Sequence, residues 1–193
     1  MDTSLYNVNS DFSEERPYTI YAFTANRVGL LNRIVILFTR RHINIESLTA
    51  SESEVEGVYR YTIVIVAKLD QVEKLTKQIS KQVDVLRASF HPEENTIHQE
   101  IALYKIPMAS IMDGDQVEQI IRESNARILT VDPQYIVVEK TGHSNETKAL
   151  FDKLQPFGIL QFVRSGRVVI TKHMKSLTQY LRDQEDARNL AER

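Results

Sequence analysis

Residues 18–49 read YTIYAFTANRVGLLNRIVILFTRRHINIESLT, and the change of hydrophobic period inside this stretch decides the fold. Tyr18 to Thr24 alternates and is rich in β-formers, which predicts a strand. Thr24 to Gly29 breaks that pattern. Beyond it Leu30, Leu31, Ile34, Leu37 and Phe38 fall on one face at helical period, with Val35 and Ile36 widening the stripe. Arg40 and Arg41 suit the negative end of such a helix. Asn44 to Ser51 then reads as the next strand, entered through a turn at His42 to Asn44.

Working outward, Gly57 marks a hairpin into a long strand, Val58 to Ala67. Asp70 is placed to cap a helix over Gln71 to Lys81, and Val83 to Phe90 closes the unit as a fourth strand. The order is βαββαβ. His91 to Thr96, with Pro92 and two glutamates, is polar and punctuated, so a boundary is expected there. The pattern then restarts with Ile97 to Ile106, and Asp113 and Gly114 precede a helix from Asp115 to Ser124. A hairpin follows, Ala126 to Val131 and Tyr135 to Lys140 turning at Asp132 and Pro133, and then a helix over Asn145 to Leu154. Gly158 to Val163 and Arg167 to Thr171 read as closing strands around a turn at Ser165 and Gly166. The expectation is an α+β chain of two ferredoxin-like βαββαβ domains in tandem, each with its helices on one face of an antiparallel sheet. Its expected parts are a polar lead (1–16), a first domain (17–91), a linker (92–97), a second domain (98–171) and a helical or frayed tail (172–193). In that tail Met174, Leu177 and Leu181 stand at helical spacing.

A net charge of −2 over 193 residues, with 42% hydrophobic residues, describes a chain with a real core and no excess of basic groups. That balance argues against nucleic acid as a partner, because phosphate-neutralising domains concentrate Lys and Arg. The absence of cysteine removes disulfides, thiolate nucleophiles and Cys-type zinc sites together. Met1 to Arg16 carries Asp2, Asp11, Glu14 and Glu15 and does not resemble a signal peptide. No apolar stretch approaches the roughly 20 residues that span a bilayer, so a cytoplasmic protein without membrane contact is expected.

Chemistry-bearing motifs are few. The glycines never stand two apart, which excludes Rossmann and Walker loops. The histidines at 42, 91, 98, 143 and 173 form no i, i+4 pair. His91 and His98, with Glu93 and Glu94 between them, could grip a metal, although a linker of this composition is more often simply solvated. No serine sits in a nucleophile elbow, and Asp113-Gly114-Asp115 starts like a calcium loop but lacks its later ligands, so helix capping is the plainer role. No catalytic residue and no metal are expected. Gly57-Val58-Tyr59-Arg60-Tyr61 faintly resembles the base-stacking strand of an RRM, and an RRM-like RNA-binding module is the rival from another class. Cross-strand packing or an oligomer interface accounts for Tyr59 and Tyr61 equally well.

The informative junction is Thr24 to Gly29. A loop that ends in Gly and opens a helix offers unpaired N–H groups and a positive dipole end, which suits a carboxylate such as that of an amino acid. Asn26 can cap the helix or present a donor and an acceptor to a ligand, and Gly29 allows close approach. Asn44 is likewise either a turn residue or a ligand-facing amide. Local pattern leaves both readings open.

The run Asn26-Arg27-Val28-Gly29-Leu30-Leu31-Asn32-Arg33-Ile34, then Leu37-Phe38, Arg40-Arg41 and above all Asn44-Ile45-Glu46-Ser47-Leu48-Thr49, resembles the ACT domain of acetolactate synthase regulatory (small) subunits. Lys81-Gln82-Val83-Asp84-Val85-Leu86, Glu100 to Ile106 and Arg164-Ser165-Gly166-Arg167 extend the resemblance over roughly residues 18 to 171, while residues after 173 run beyond the typical chain. His42 stands where the family often has Gly. The resemblance implies a non-catalytic subunit that dimerises through ACT domains, stimulates the catalytic subunit, and makes it sensitive to branched-chain amino acids, usually valine. Thiamine diphosphate, Mg and FAD would belong to the catalytic partner and none of them to this chain. The effector would lie at the ACT dimer interface, contacted by Asn26, Val28, Gly29 and Leu30 of one chain and Asn44 and Ile45 of the other. Leu30, Ile34 and Ile45 would suit its apolar side chain. A free-standing ACT sensor serving another enzyme is the nearest alternative.

Overall fold

The computed structural model describes residues 14–112, 115–173 and 177–182. The polar lead up to residue 13, the Asp113-Gly114 pair and Met174 therefore lie outside the described residues. The chain divides into two compact units, one closing at Ile97 and taking up the chain again at Thr171, the other running His98–Ile170.

In the first unit β1 (Arg16–Ala25), α1 (Leu30–Thr39), β2 (Ser47–Glu52), β3 (Val58–Ala67), α2 (Leu69–Ile79) and β4 (Val85–Pro92) follow in βαββαβ order. The strands form one antiparallel sheet ordered β2-β3-β1-β4. Period decides the packing. Leu30, Ile34 and Phe38 of α1 and Val72, Leu75 and Ile79 of α2 meet Tyr18, Ile20 and Ala22 of β1 and Tyr61, Ile63 and Ile65 of β3. The intervening β1 residues, Thr19, Tyr21 and Phe23, point to the other face of the sheet by strand alternation.

The second unit holds β5 (Thr96–Pro107), a short α3 (Ala109–Met112), α4 (Gln116–Glu123), β6 (Arg127–Val131), β7 (Tyr135–Gly142), α5 (Ser144–Leu154), β8 (Gln161–Arg164) and β9 (Val168–Thr171). Its sheet runs β6-β7-β5-β8, with β9 also paired to β5. Ala102, Tyr104 and Ile106 of β5 and Ile136 and Val138 of β7 pack on Val117, Ile121, Leu150 and Leu154. The buried Tyr104 hydroxyl donates to the Thr147 carbonyl at 2.6 Å, satisfying the one polar atom it brings into that core. Two α+β units of ferredoxin-like build are thus present.

Several boundaries differ from the sequence expectation. Asp70 is not the cap of α2: the helix begins at Leu69, Lys68 holds the cap position with its N–H donating to Gln71 Oε1 at 3.1 Å, and Asp70 pairs with Lys74 in the first turn. β2 starts at Ser47, leaving Asn44 and Ile45 in the preceding loop. The stretch read as a linker is structured, because Pro92 ends β4, Thr96 opens β5, and Glu93–Asn95 forms one 3-10 turn between them. Proline is accommodated at that strand end because β4 is an edge strand. His42 takes φ +54°, so it fills the left-handed position after α1 that Gly commonly occupies.

Candidate functional site: the start of the first helix

The loop between β1 and α1 is fixed by its backbone. Ala25 N–H donates to the Asp84 carbonyl at 2.9 Å and Asn26 N–H to the Gly57 carbonyl at 3.1 Å, so the loop is held between the β2–β3 turn and the entry to β4. Asp84 in turn takes φ +71° and pairs with Arg33 of α1 at 3.2 Å. Asn26 is exposed and does not cap the helix. The cap is Gly29 at φ +80° and ψ −3°, a conformation that a Cβ penalises, and nothing lies within 4 Å of where that Cβ would stand.

The electrostatics follow from that cap. The Leu30 N–H donates to the Arg27 carbonyl at 3.3 Å, but neither a capping side chain nor an acidic residue serves the first turn of α1, so no side chain neutralises the positive end of its dipole. Such an end, on a helix of ten residues, suits an anion such as a carboxylate. Beside it Val28 stands fully exposed.

The remaining candidates separate into two groups. Leu30 and Ile34 are fully buried in the unit's own core, so the apolar lining expected from their side chains is not at this surface, and the Leu30 N–H is engaged by the Arg27 carbonyl. Ile45 is half-buried and also packs against that core. Asn44 is exposed, its Nδ2 donating to Glu46 Oε1 at 2.8 Å. Within one chain Asn44 and Asn26 are far apart. Glu46 N–H donates to the Val64 carbonyl, Val64 pairs with Thr19, and Thr19 lies seven residues before Asn26 on an extended strand; at about 3.3 Å per residue that is about 20 Å.

The other motifs resolve differently. Tyr61 is buried in the core under the helices and Tyr59 shares its side of β3, so the base-stacking pair of an RRM is not formed. His91 sits on β4 opposite Thr19, where burial and the nearby charge of Arg87 push its pKa down to about 4. His98 instead meets His143, with ring nitrogens 3.2 Å apart. The proposed His91–His98 grip on a metal is therefore not assembled, and among the described residues no group of three or more His, Asp or Glu could hold one. Sequence reasoning missed Asp84, whose left-handed φ and link to Arg33 anchor the loop; no glycine marks that position.

No helix among the described residues is long and apolar enough to cross a membrane. The family described as "AHAS small subunit-like ACT domain" matches residues 20–87, and that described as "Small subunit of acetolactate synthase" matches residues 99–173. The acetolactate synthase small subunit of Bacillus subtilis is 40% identical over 148 residues, covering 76% of this chain and 86% of that protein. The Mycobacterium bovis counterpart is 32% identical, over 81% and 93% respectively. The crystal structure of the Thermotoga maritima acetolactate synthase small subunit superposes with a TM-score of 0.74 at 26% identity, covering 83% of this chain and 99% of that one. Two ferredoxin-like units in this order, an ACT-type loop between β1 and α1, and relatives matched over most of their length together show that the chain belongs to the acetolactate synthase small-subunit family.

Proposed function

We propose that this chain is a regulatory subunit that stimulates a catalytic acetolactate synthase subunit and makes it responsive to a branched-chain amino acid, valine first among them. The observation that carries the reading is the start of α1, where Gly29 leaves the helix without a side-chain cap or a first-turn acid. The effector's carboxylate sits on that helix start beside Asn26, Val28, Gly29 and Leu30, held by the uncapped dipole end and not by the Leu30 N–H, which Arg27 occupies. Asn44 and Ile45 come from a second copy, because about 20 Å of strand separates them from Asn26 within one chain. A homodimer through the ACT units is therefore part of the proposal. Thiamine diphosphate, Mg and FAD belong to the catalytic partner, and this chain supplies no reacting group.

The effector acts by linkage. It must bind one arrangement of the holoenzyme better than another, and a difference of about 1 to 3 kcal/mol suffices to shift the population. The test is acetolactate formation by the cognate catalytic subunit alone, with this chain, and with this chain plus millimolar valine. A rise with the chain and a fall with valine are expected. No effect of the chain on rate overturns the reading, and stimulation without a valine response removes the effector from it.

A further inference from the structure

An antiparallel sheet with helices on one face ordinarily leaves its other face to water. In the first unit the middle of that other face is buried, although Val66 at its edge stays exposed. Thr19, Tyr21, Phe23 and Val64, which alternate away from the helix-packed residues, retain 3%, 0%, 1% and 3% of their exposure. Two guanidinium groups lie across it. Arg60 stands 4.5 Å from the centre of the Tyr21 ring and 5.9 Å from that of Phe23, and Arg87, paired opposite Phe23 on β4, stands 4.6 Å from the ring of Tyr180.

Tyr180 belongs to a helical turn, residues 177–182, that clusters with the first unit although it follows the last strand of the second. Leu177, at the start of that turn, is fully buried. Burial lowers the Arg87 pKa, as expected of a guanidinium held partly away from solvent. The family match ends at residue 173, before this turn.

Its seat is mechanically placed. The strand pairing of β1 with β4 passes from Phe23↔Arg87 through a register shift to Thr24↔Val85, and the next link is the Ala25 N–H bond to Asp84 that anchors the β1–α1 loop. Asp84 also holds Arg33 of α1. Whatever fixes Arg87 therefore fixes the strand ends from which the loop springs.

We propose that residues 177–182 form a strap docked in cis on the outer face of the first sheet, gripping Arg87 through Tyr180 and stiffening the β1 and β4 ends that carry the β1–α1 loop. The strap rests on the functional reading above only in that this loop is the effector loop. Loss of a partly desolvated cation–π contact corresponds to a roughly 5- to 30-fold change in the opening equilibrium of the seat. The test is hydrogen exchange on the full-length chain, without effector or catalytic partner, for wild type, Tyr180→Ala and Tyr180→Phe. Tyr180→Ala should speed exchange across 177–182 by that factor and also speed the bonded amides of Ala25 and Asn26, while Tyr180→Phe, which keeps the ring, should match wild type. Unchanged exchange across 177–182 in Tyr180→Ala overturns the seat, as does a Tyr180→Phe chain as loose as Tyr180→Ala. A loosened strap with Ala25 and Asn26 unaffected overturns the coupling to the loop. A valine response plays no part in these readouts, so failure of the effector reading and failure of the strap are separately visible.

Discussion

Gly29 separates backbone strain from ligand electrostatics, and two substitutions there give opposite signs. At φ +80° any Cβ is penalised, by about 1 to 2 kcal/mol, and with nothing within 4 Å no clash is added. Gly29→Ala should therefore lower the melting temperature of the first unit by roughly 4 to 8 °C per kcal/mol. Gly29→Asp carries the same strain, but aspartate tolerates the left-handed region better and its charge falls on an uncapped helix start, which recovers about 0.3 to 1 kcal/mol. The aspartate variant should thus melt above the alanine variant. For the effector the order reverses. Two carboxylates 4 Å apart at an effective dielectric of 20 repel by about 4 kcal/mol, and salt and exposure reduce that figure. A third of it, about 1.4 kcal/mol, still costs tenfold in affinity. Calorimetric titration of valine into both variants, beside thermal melts at low and high salt, measures the two effects on the same samples. A Gly29→Asp chain that binds valine within twofold of Gly29→Ala would refute the placement of the effector carboxylate on this helix.

Ile34→Ala and Asn26→Ala test the division between core and site. Ile34 is fully buried between α1 and the sheet, so its truncation should cost about 2 to 5 kcal/mol and lower stimulation and valine response together. Asn26→Ala, at an exposed position, should move stability by no more than about 0.5 kcal/mol and weaken the valine response while stimulation of the catalytic subunit persists. Equal loss of both activities in Asn26→Ala would contradict the separation. His91 is held neutral in the folded chain, with a pKa of about 4 against 6.5 when unfolded. The folded state then binds fewer protons between those values, so stability is lost as pH falls from 6.5 towards 4, by about 2 to 3 kcal/mol in all. Denaturant titrations at pH 7 and pH 4.5 should show a smaller drop for His91→Gln than for wild type, and parallel drops would show that His91 does not contribute.

Much of the fold was legible because its signals are local and periodic. The switch from alternation in Tyr18 to Thr24 to the helical spacing of Leu30, Ile34 and Phe38 fixed both the first two elements and the faces they bury. Boundaries failed where a side chain has two good roles. Asp70 is as plausible one residue inside a helix, paired with Lys74, as at its cap, and α2 uses the Lys68–Gln71 arrangement instead. For the site, the resemblance pointed to Gly29, and the structure places that glycine at a left-handed helix start without a side-chain cap, the feature on which the effector proposal rests. The periodicity placed Leu30 and Ile34 on the apolar face, where they are buried, and it was the resemblance that added them to the effector's lining.

The buried middle of the first sheet's outer face was written in the same seven residues that predicted β1, though alternation alone hides it. Tyr18, Ile20 and Ala22 supply the face that the helices cover, yet the intervening positions are Thr19, Tyr21 and Phe23, and two aromatic residues on the second face are more than a solvated antiparallel strand requires. A strand apolar on both sides asks for a cover on both sides. The cover at its Arg87 end lies within residues 177–182, in a tail whose helical spacing of Met174, Leu177 and Leu181 was readable, although spacing alone does not say which face a helix docks on. Neither signal suffices alone: the aromatic second face states that something must dock there, and the buried Leu177 with Tyr180 on Arg87 states what does. The strap is therefore best tested through Tyr180, the one side chain whose removal empties that contact while leaving both sheet and helices of the first unit intact.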